Sequence, residues 1–128
     1  MAEWYGYDWL QRLHDRRCLW AALAVAGALA IALGSLTPGS QMPSSLPWDK
    51  ANHFVGYVGL AGLIGLAGVR LPLAFLMAVL FGITIEYAQV PVPGRSGGDW
   101  WDILANSLGA GFAVTLLHLL RRGPLRRP

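Results

Sequence analysis

The chain has 128 residues, 55% hydrophobic and 13% charged, with a mean hydropathy of +0.45; that is more apolar surface than one soluble domain of this length can cover. Its formal net charge of +3 does not point to nucleic acid, because most of the arginines stand in two clusters at the chain ends, with no basic face interleaved with aromatics. The single cysteine, Cys18, excludes an internal disulfide and a thiolate metal centre, so the fold must rest on packing within lipid.

Residues 1–17 form a leader expected at the cytoplasmic face. Its stretch Trp4-Tyr5-Gly6-Tyr7-Asp8-Trp9-Leu10, with Leu10 and Leu13 continuing an apolar face, suits a short interfacial helix. A disordered terminus is the alternative. From Cys18 to Leu36 the chain is uncharged and long enough, at ~1.5 Å per residue, to cross a ~30 Å hydrocarbon layer. Arg16 and Arg17 before it resemble a signal-peptide start, but the run is too long and the leader carries Glu3, Asp8 and Asp15. A retained span is therefore expected.

A second span is expected from about Asn52 to Val69 and a third from about Leu71 to Val90, parted only by Arg70 and the turn-forming Pro72. The loop Pro91-Val92-Pro93-Gly94-Arg95-Ser96-Gly97-Gly98, read as flexible, leads to a fourth span from about Trp101 to Leu120. Residues 121–128 form a basic tail. The predicted fold is thus an all-α membrane protein with four transmembrane helices in residues 18–120.

Orientation follows from lysine and arginine, which are retained in the cytoplasm when they flank spans. Arg12, Arg16, Arg17, Arg70, Arg121, Arg122, Arg126 and Arg127 all fall on one side, leaving Lys50 and Arg95 on the other. Both ends are therefore expected inside. The loops Thr37 to Ala51 and Pro91 to Trp100 face outward, with Trp48, Trp100 and Trp101 at the outer interface.

Small residues recur at Gly56, Gly59, Gly62, Gly65 and Gly68, and again at Ala105, Gly109 and Ala113. They permit close approach of helix backbones. A period of three drifts around a helix of 3.6 residues per turn, so the glycines of the second span should serve more than one neighbour.

Ionisable residues inside such spans are costly, about 2.5–3.5 kcal/mol each at mid-membrane, and need partners or water. Here they concentrate at one end. Asp49, Lys50, His53 and Tyr57 lie at helical spacing at the outer end of the second span, Glu86 and Gln89 at the outer end of the third, and Asp99, Asp102 and Asn106 at that of the fourth, with Arg95 in the preceding loop. Alternating chain direction brings these ends to one depth. His53, Glu86, Asp99 and Asp102 are candidate acid–base groups, and Asp49, Lys50, Tyr57, Gln89, Arg95 and Asn106 candidate ligand contacts. Ion pairing of Lys50 and Arg95 with nearby carboxylates, merely to let polar helix ends pack, is the competing explanation.

The ordered set Asp49-Lys50-x-x-His53-x-x-x-Tyr57, Glu86-x-x-Gln89, Arg95, and Asp99-x-x-Asp102-Ile-Leu-x-Asn106-x-x-Gly109, spanning about Ser35 to Gly111, resembles the VanZ-like family of bacterial membrane proteins. The resemblance implies a multi-pass inner-membrane protein related to one associated with reduced susceptibility to the glycopeptide teicoplanin. It implies no particular reaction.

With one histidine in the cluster and no cysteine, no transition metal is expected, and no other cofactor. Nucleotide loops and serine elbows are absent from the sequence pattern. The expected ligand is a membrane lipid or lipid-linked anionic substrate, with Lys50, Arg95 and His53 meeting its phosphate or carboxylate; binding and catalysis both stay open. The alternative is a non-enzymatic partner that assembles with a second copy or with another envelope protein. A transporter is disfavoured, since the polar groups crowd one face instead of crossing the bilayer centre.

Overall fold

In the computed structural model of the protein, residues 8–42 and 49–125 are described. They form five α-helices, α1 (Asp8–His14), α2 (Arg17–Leu36), α3 (Asp49–Leu66), α4 (Leu71–Gln89) and α5 (Trp100–Arg122), with a short 3-10 turn at Gly39–Gln41. No strand occurs among the described residues. Trp4, Tyr5, Tyr7, Trp48, Arg126 and Arg127 lie outside them.

Three helices, α2, α4 and α5, are long and apolar enough to cross a membrane. The expected second span, α3, has the length, at 18 residues, but its first turn and a half holds Asp49, Lys50, Asn52 and His53, so its apolar part starts only at Phe54. It is also shifted: it begins three residues before Asn52 and stops at Leu66, three before Val69. Gly68, in a left-handed conformation at φ +100° that suits only glycine, ends it. Pro72 in the first turn of α4 is where a missing N–H costs nothing. At the other end Arg121 and Arg122 belong to α5, not to a tail, and their charge complements its C-terminal carbonyls.

The helix α3 packs most extensively on α5 and also touches α2 and α4. The core is built of Tyr57, Leu60 and Ala61 from α3, Ala78 from α4, and Ala110 and Ala113 from α5. Small residues set the helix distances, and the α3 glycines do serve different neighbours. Gly56 faces Ile31 of α2, whereas Gly62 faces Ala113 of α5. Gly65 faces Leu117 of α5 and Leu71 at the start of α4. Closest of all, Gly109 lies against the backbone of Phe54. By contrast α2 buries only Ala24 and exposes Leu19, Leu23, Val25, Leu29 and Leu33, a surface that lipid would cover.

A β-carbon at Gly109 would run into the Phe54 carbonyl oxygen, whereas one at Gly59 would meet nothing within 4 Å. Gly109→Ala should therefore cost about 1–3 kcal/mol through overpacking. Thermal unfolding in detergent should show Gly109→Ala well below the parent and Gly59→Ala level with it.

Candidate functional site

The polar ends of α3, α4 and α5 meet, and the bond that joins α3 to α5 is ionic. Lys50 of α3 extends its ammonium between Asp99 Oδ2, at 2.8 Å, and Asp102 Oδ1. Asp102 is 2% exposed, so its charge is tolerable only with that partner. Asp99 caps α5, its Oδ1 accepting the Trp101 N–H at 2.8 Å. The hydrogen bond from the Lys50 ammonium, then that from the Trp101 N–H, hold the Asp99 carboxyl below the usual aspartate range.

His53 stands one turn below Asp49. Its Nδ1 lies 2.9 Å from Asn106 Oδ1; an amide oxygen only accepts, so the ring donates there and its neutral form keeps the Nε2 lone pair free. That Nε2 is 3.4 Å from Asp102 Oδ2 and 3.7 Å from Asp49 Oδ2. Asn106 is 1% exposed and acts as an orienting group behind the imidazole.

Glu86 is fully buried. From the sequence, Glu86 should have Lys50, Arg95 or His53 nearby or else be protonated; its hydrogen bond is to backbone, Oε2 accepting the Asp99 N–H at 3.0 Å, while Lys50 spans the two aspartates. Three buried atoms, Glu86 Oε1, Tyr57 OH and Asn106 Nδ2, have no hydrogen-bond partner among the described residues. Tyr57 and Asn106 share Gly82 as a neighbour, one turn below Glu86: a β-carbon there would lie 2.9 Å from Asn106 Nδ2 and 3.1 Å from Tyr57 Cε1.

Arg95 and Gln89 serve the end of α2. Arg95 donates from Nε to Ser35 O at 3.0 Å and from Nη2 to Gly34 O at 2.7 Å, and Gln89 Nε2 donates to Ser35 O at 3.0 Å. Helix C-terminal carbonyls otherwise lack partners. Arg95 therefore joins the cluster as a clamp on α2, not as the counter-ion of a carboxylate. All ten candidate residues thus lie at one end of the helix bundle.

Sequence reasoning missed the residues that give the site its shape. Gly97 and Gly98 are not slack: a β-carbon on Gly97 would come within 2.6 Å of the Gln89 carbonyl carbon, and Gly98, at φ +73°, donates its N–H to Glu86 O at 3.0 Å. Gly39 donates to Pro93 O at 2.9 Å and abuts Gly94, tying the two loops together. The Gly-Gly pair was a visible signal; the Gly39 contact had none.

Two concavities open from the cluster. One, of about 160 Å³, is polar and lined by Asp49, His53, Asp102, Gln89, Arg95 and Ser96. The other, of about 380 Å³, runs between α2 and α3. It is lined by Asp49, Asn52, His53 and Arg95 and by apolar Ala30, Ile31 and Gly56. Comparison with protein-family models, curated proteins and solved structures gave no match.

Lys50→Met should strand the buried Asp102 charge at a cost of about 3–5 kcal/mol, and Lys50→Met with Asp102→Asn should cost clearly less than the two single changes added. Urea or thermal unfolding of the four proteins measures it. The Asp99 contribution has a definite pH sign. Its folded value lies below the ordinary 3.8, so the contribution is complete above pH 3.8 and disappears as pH falls through the lowered value. An Asp99→Asn variant should lack that part of the acid-induced loss of stability.

Proposed function

We propose that the protein is a four-span inner-membrane protein of the VanZ-like kind, with both ends in the cytoplasm, that binds an anionic envelope lipid or lipid-linked cell-wall precursor at its outer face. The observation that carries this reading is the groove between α2 and α3. Its lining joins polar residues, Arg95, Asn52, His53 and Asp49, to apolar ones, Ala30, Ile31 and Gly56. A lipid has the same two parts, and the groove offers a headgroup and an acyl chain adjoining surfaces at one depth. The fourth span in this reading is α3, its polar first turns shielded by the Lys50, Asp99 and Asp102 contacts and by α2, α4 and α5 around it.

Three buried unpartnered polar atoms in the polar cluster favour a site over a scaffold. Each costs about 1–3 kcal/mol, and a purely structural end would be expected to replace them with apolar groups. Tyr57, itself part of the groove wall, carries one of them. Acid–base work by His53, with Asp102 and Asp49 beside its Nε2, is compatible with the geometry. The link to glycopeptide susceptibility rests on the resemblance alone. Trp100 and Trp101, 72% and 65% exposed, would mark the outer headgroup layer.

Two experiments test the reading. A cysteine at Ser96 in a Cys18→Ser background should react with an impermeant thiol reagent on intact spheroplasts, and one at Arg70 should not; the reverse pattern would invert the topology. For the ligand, lipids retained by the purified protein should be enriched in anionic species. Gly56→Leu, which fills the groove where only Ile31 lies near, should remove that enrichment while the protein stays folded. An unchanged lipid profile would contradict a groove-bound lipid.

A further inference from the structure

We infer that Asp49, His53 and Asp102 form a binding site for a divalent cation of the Zn²⁺ or Mn²⁺ class. Three donor atoms carry the inference. One oxygen of each aspartate and a ring nitrogen of His53 all lie within 4.8 Å of one another, with Nε2 at 3.4 Å from Asp102 Oδ2 and 3.7 Å from Asp49 Oδ2. Two donors at about 2.1 Å from a tetrahedral metal stand about 3.4 Å apart. The two histidine–carboxylate spacings are close to that of a coordination shell and wider than a direct nitrogen–oxygen hydrogen bond, and the two carboxylate oxygens, within 4.8 Å of each other, would draw together by side-chain rotation.

The orientation of the ring agrees. Nδ1 lies 2.9 Å from Asn106 Oδ1, which leaves Nε2 as the nitrogen that faces the two carboxylates. An imidazole whose other nitrogen donates to a buried amide carbonyl is also the usual arrangement behind a metal-bound histidine. Asn106, 1% exposed, would fill that orienting role.

The local charge agrees as well. Lys50 is shared by Asp99 and Asp102, whereas the ion-pair contact of Asp49 is with His53. A divalent ion would add positive charge between Asp49 and Asp102, on the side of Asp102 away from Lys50. One nitrogen and two oxygen donors favour Zn²⁺ or Mn²⁺ over Mg²⁺ and Ca²⁺, which prefer all-oxygen shells. The site opens onto the polar concavity of about 160 Å³, which leaves room for water or a ligand oxygen on the metal.

Counting histidines and cysteines led to the opposite expectation, because Asp102 reaches the pair on α3 only through the fold. The inference stands on these three side chains and not on the lipid reading. If both hold, the metal would present positive charge to a headgroup phosphate beside Arg95.

The test uses the full chain, purified in detergent with a histidine-free tag, stripped with chelator and titrated with Mn²⁺ or Zn²⁺ alone. One ion should bind per chain, Mg²⁺ should not displace it at equal concentration, and pulsed electron paramagnetic resonance of the Mn²⁺ form should show a coupled imidazole nitrogen. Asp49→Asn, at a side chain 58% exposed and so not needed for folding, should weaken binding by at least about tenfold. His53→Gln should abolish the nitrogen coupling, while His14→Gln and His118→Gln should keep it. The proposal fails if no stoichiometric ion binds, if Asp49→Asn binds as tightly as the parent, or if the coupling vanishes only with His14 or His118.

Discussion

The arrangement of the polar end depends on one buried charge. Asp102, 2% exposed in the first turn of α5, needs a cation and has one in Lys50, which approaches from the start of α3 and holds Asp99 as well. That need fixes the register of α3 against α5. Once it is fixed, Gly109 must accept the backbone of Phe54, His53 falls between Asp49 and Asp102, and Asn106 comes behind the imidazole. Packing and chemistry on this pair of helices are therefore not separable, although the partners lie 49 and 52 residues apart in the chain.

The remaining elements are attached through helix ends. Arg95 and Gln89 satisfy the Gly34 and Ser35 carbonyls that end α2, and at the opposite end Arg121 does the same for α3 by donating to Gly65 O at 2.8 Å and to His14 Nε2 at 3.1 Å. Unsatisfied carbonyls are costly where water is scarce, so each arginine acts as a cap supplied from another part of the chain. On α2 this has a functional consequence. That helix packs along α3 but buries only Ala24, and leaves against α3 a groove lined by both polar and apolar residues.

Much of this was legible because periodicity and charge are local properties. The helices at Arg17–Leu36, Leu71–Gln89 and Trp100–Arg122 follow from long, largely apolar runs bounded by Pro, Gly and Arg, and alternating direction sufficed to gather Lys50, Glu86 and Asp102 at one end. Pairing within the cluster was not legible. Which carboxylate Lys50 meets depends on helix rotation and on the turn at Gly97 and Gly98, whose tight approach to Gln89 and Val90 no propensity encodes. Nor does the sequence show that Glu86 accepts the Asp99 N–H. Nor could sequence reveal that Arg95, a plausible anion ligand by type, already holds two carbonyls of α2.

The central claim is that the groove between α2 and α3 holds a lipid whose anionic headgroup sits at the polar cluster. Photo-crosslinking in native membranes tests it most directly, with a photoreactive amino acid at Ile31 in the groove lining and another at Leu108, 58% exposed on α5 and away from it. Headgroups of the lipid adducts are then identified by mass spectrometry. The account predicts adducts at Ile31 strongly enriched in anionic lipid or lipid-linked precursor, and adducts at Leu108 that mirror the bulk membrane. Identical headgroup compositions at the two positions would contradict it.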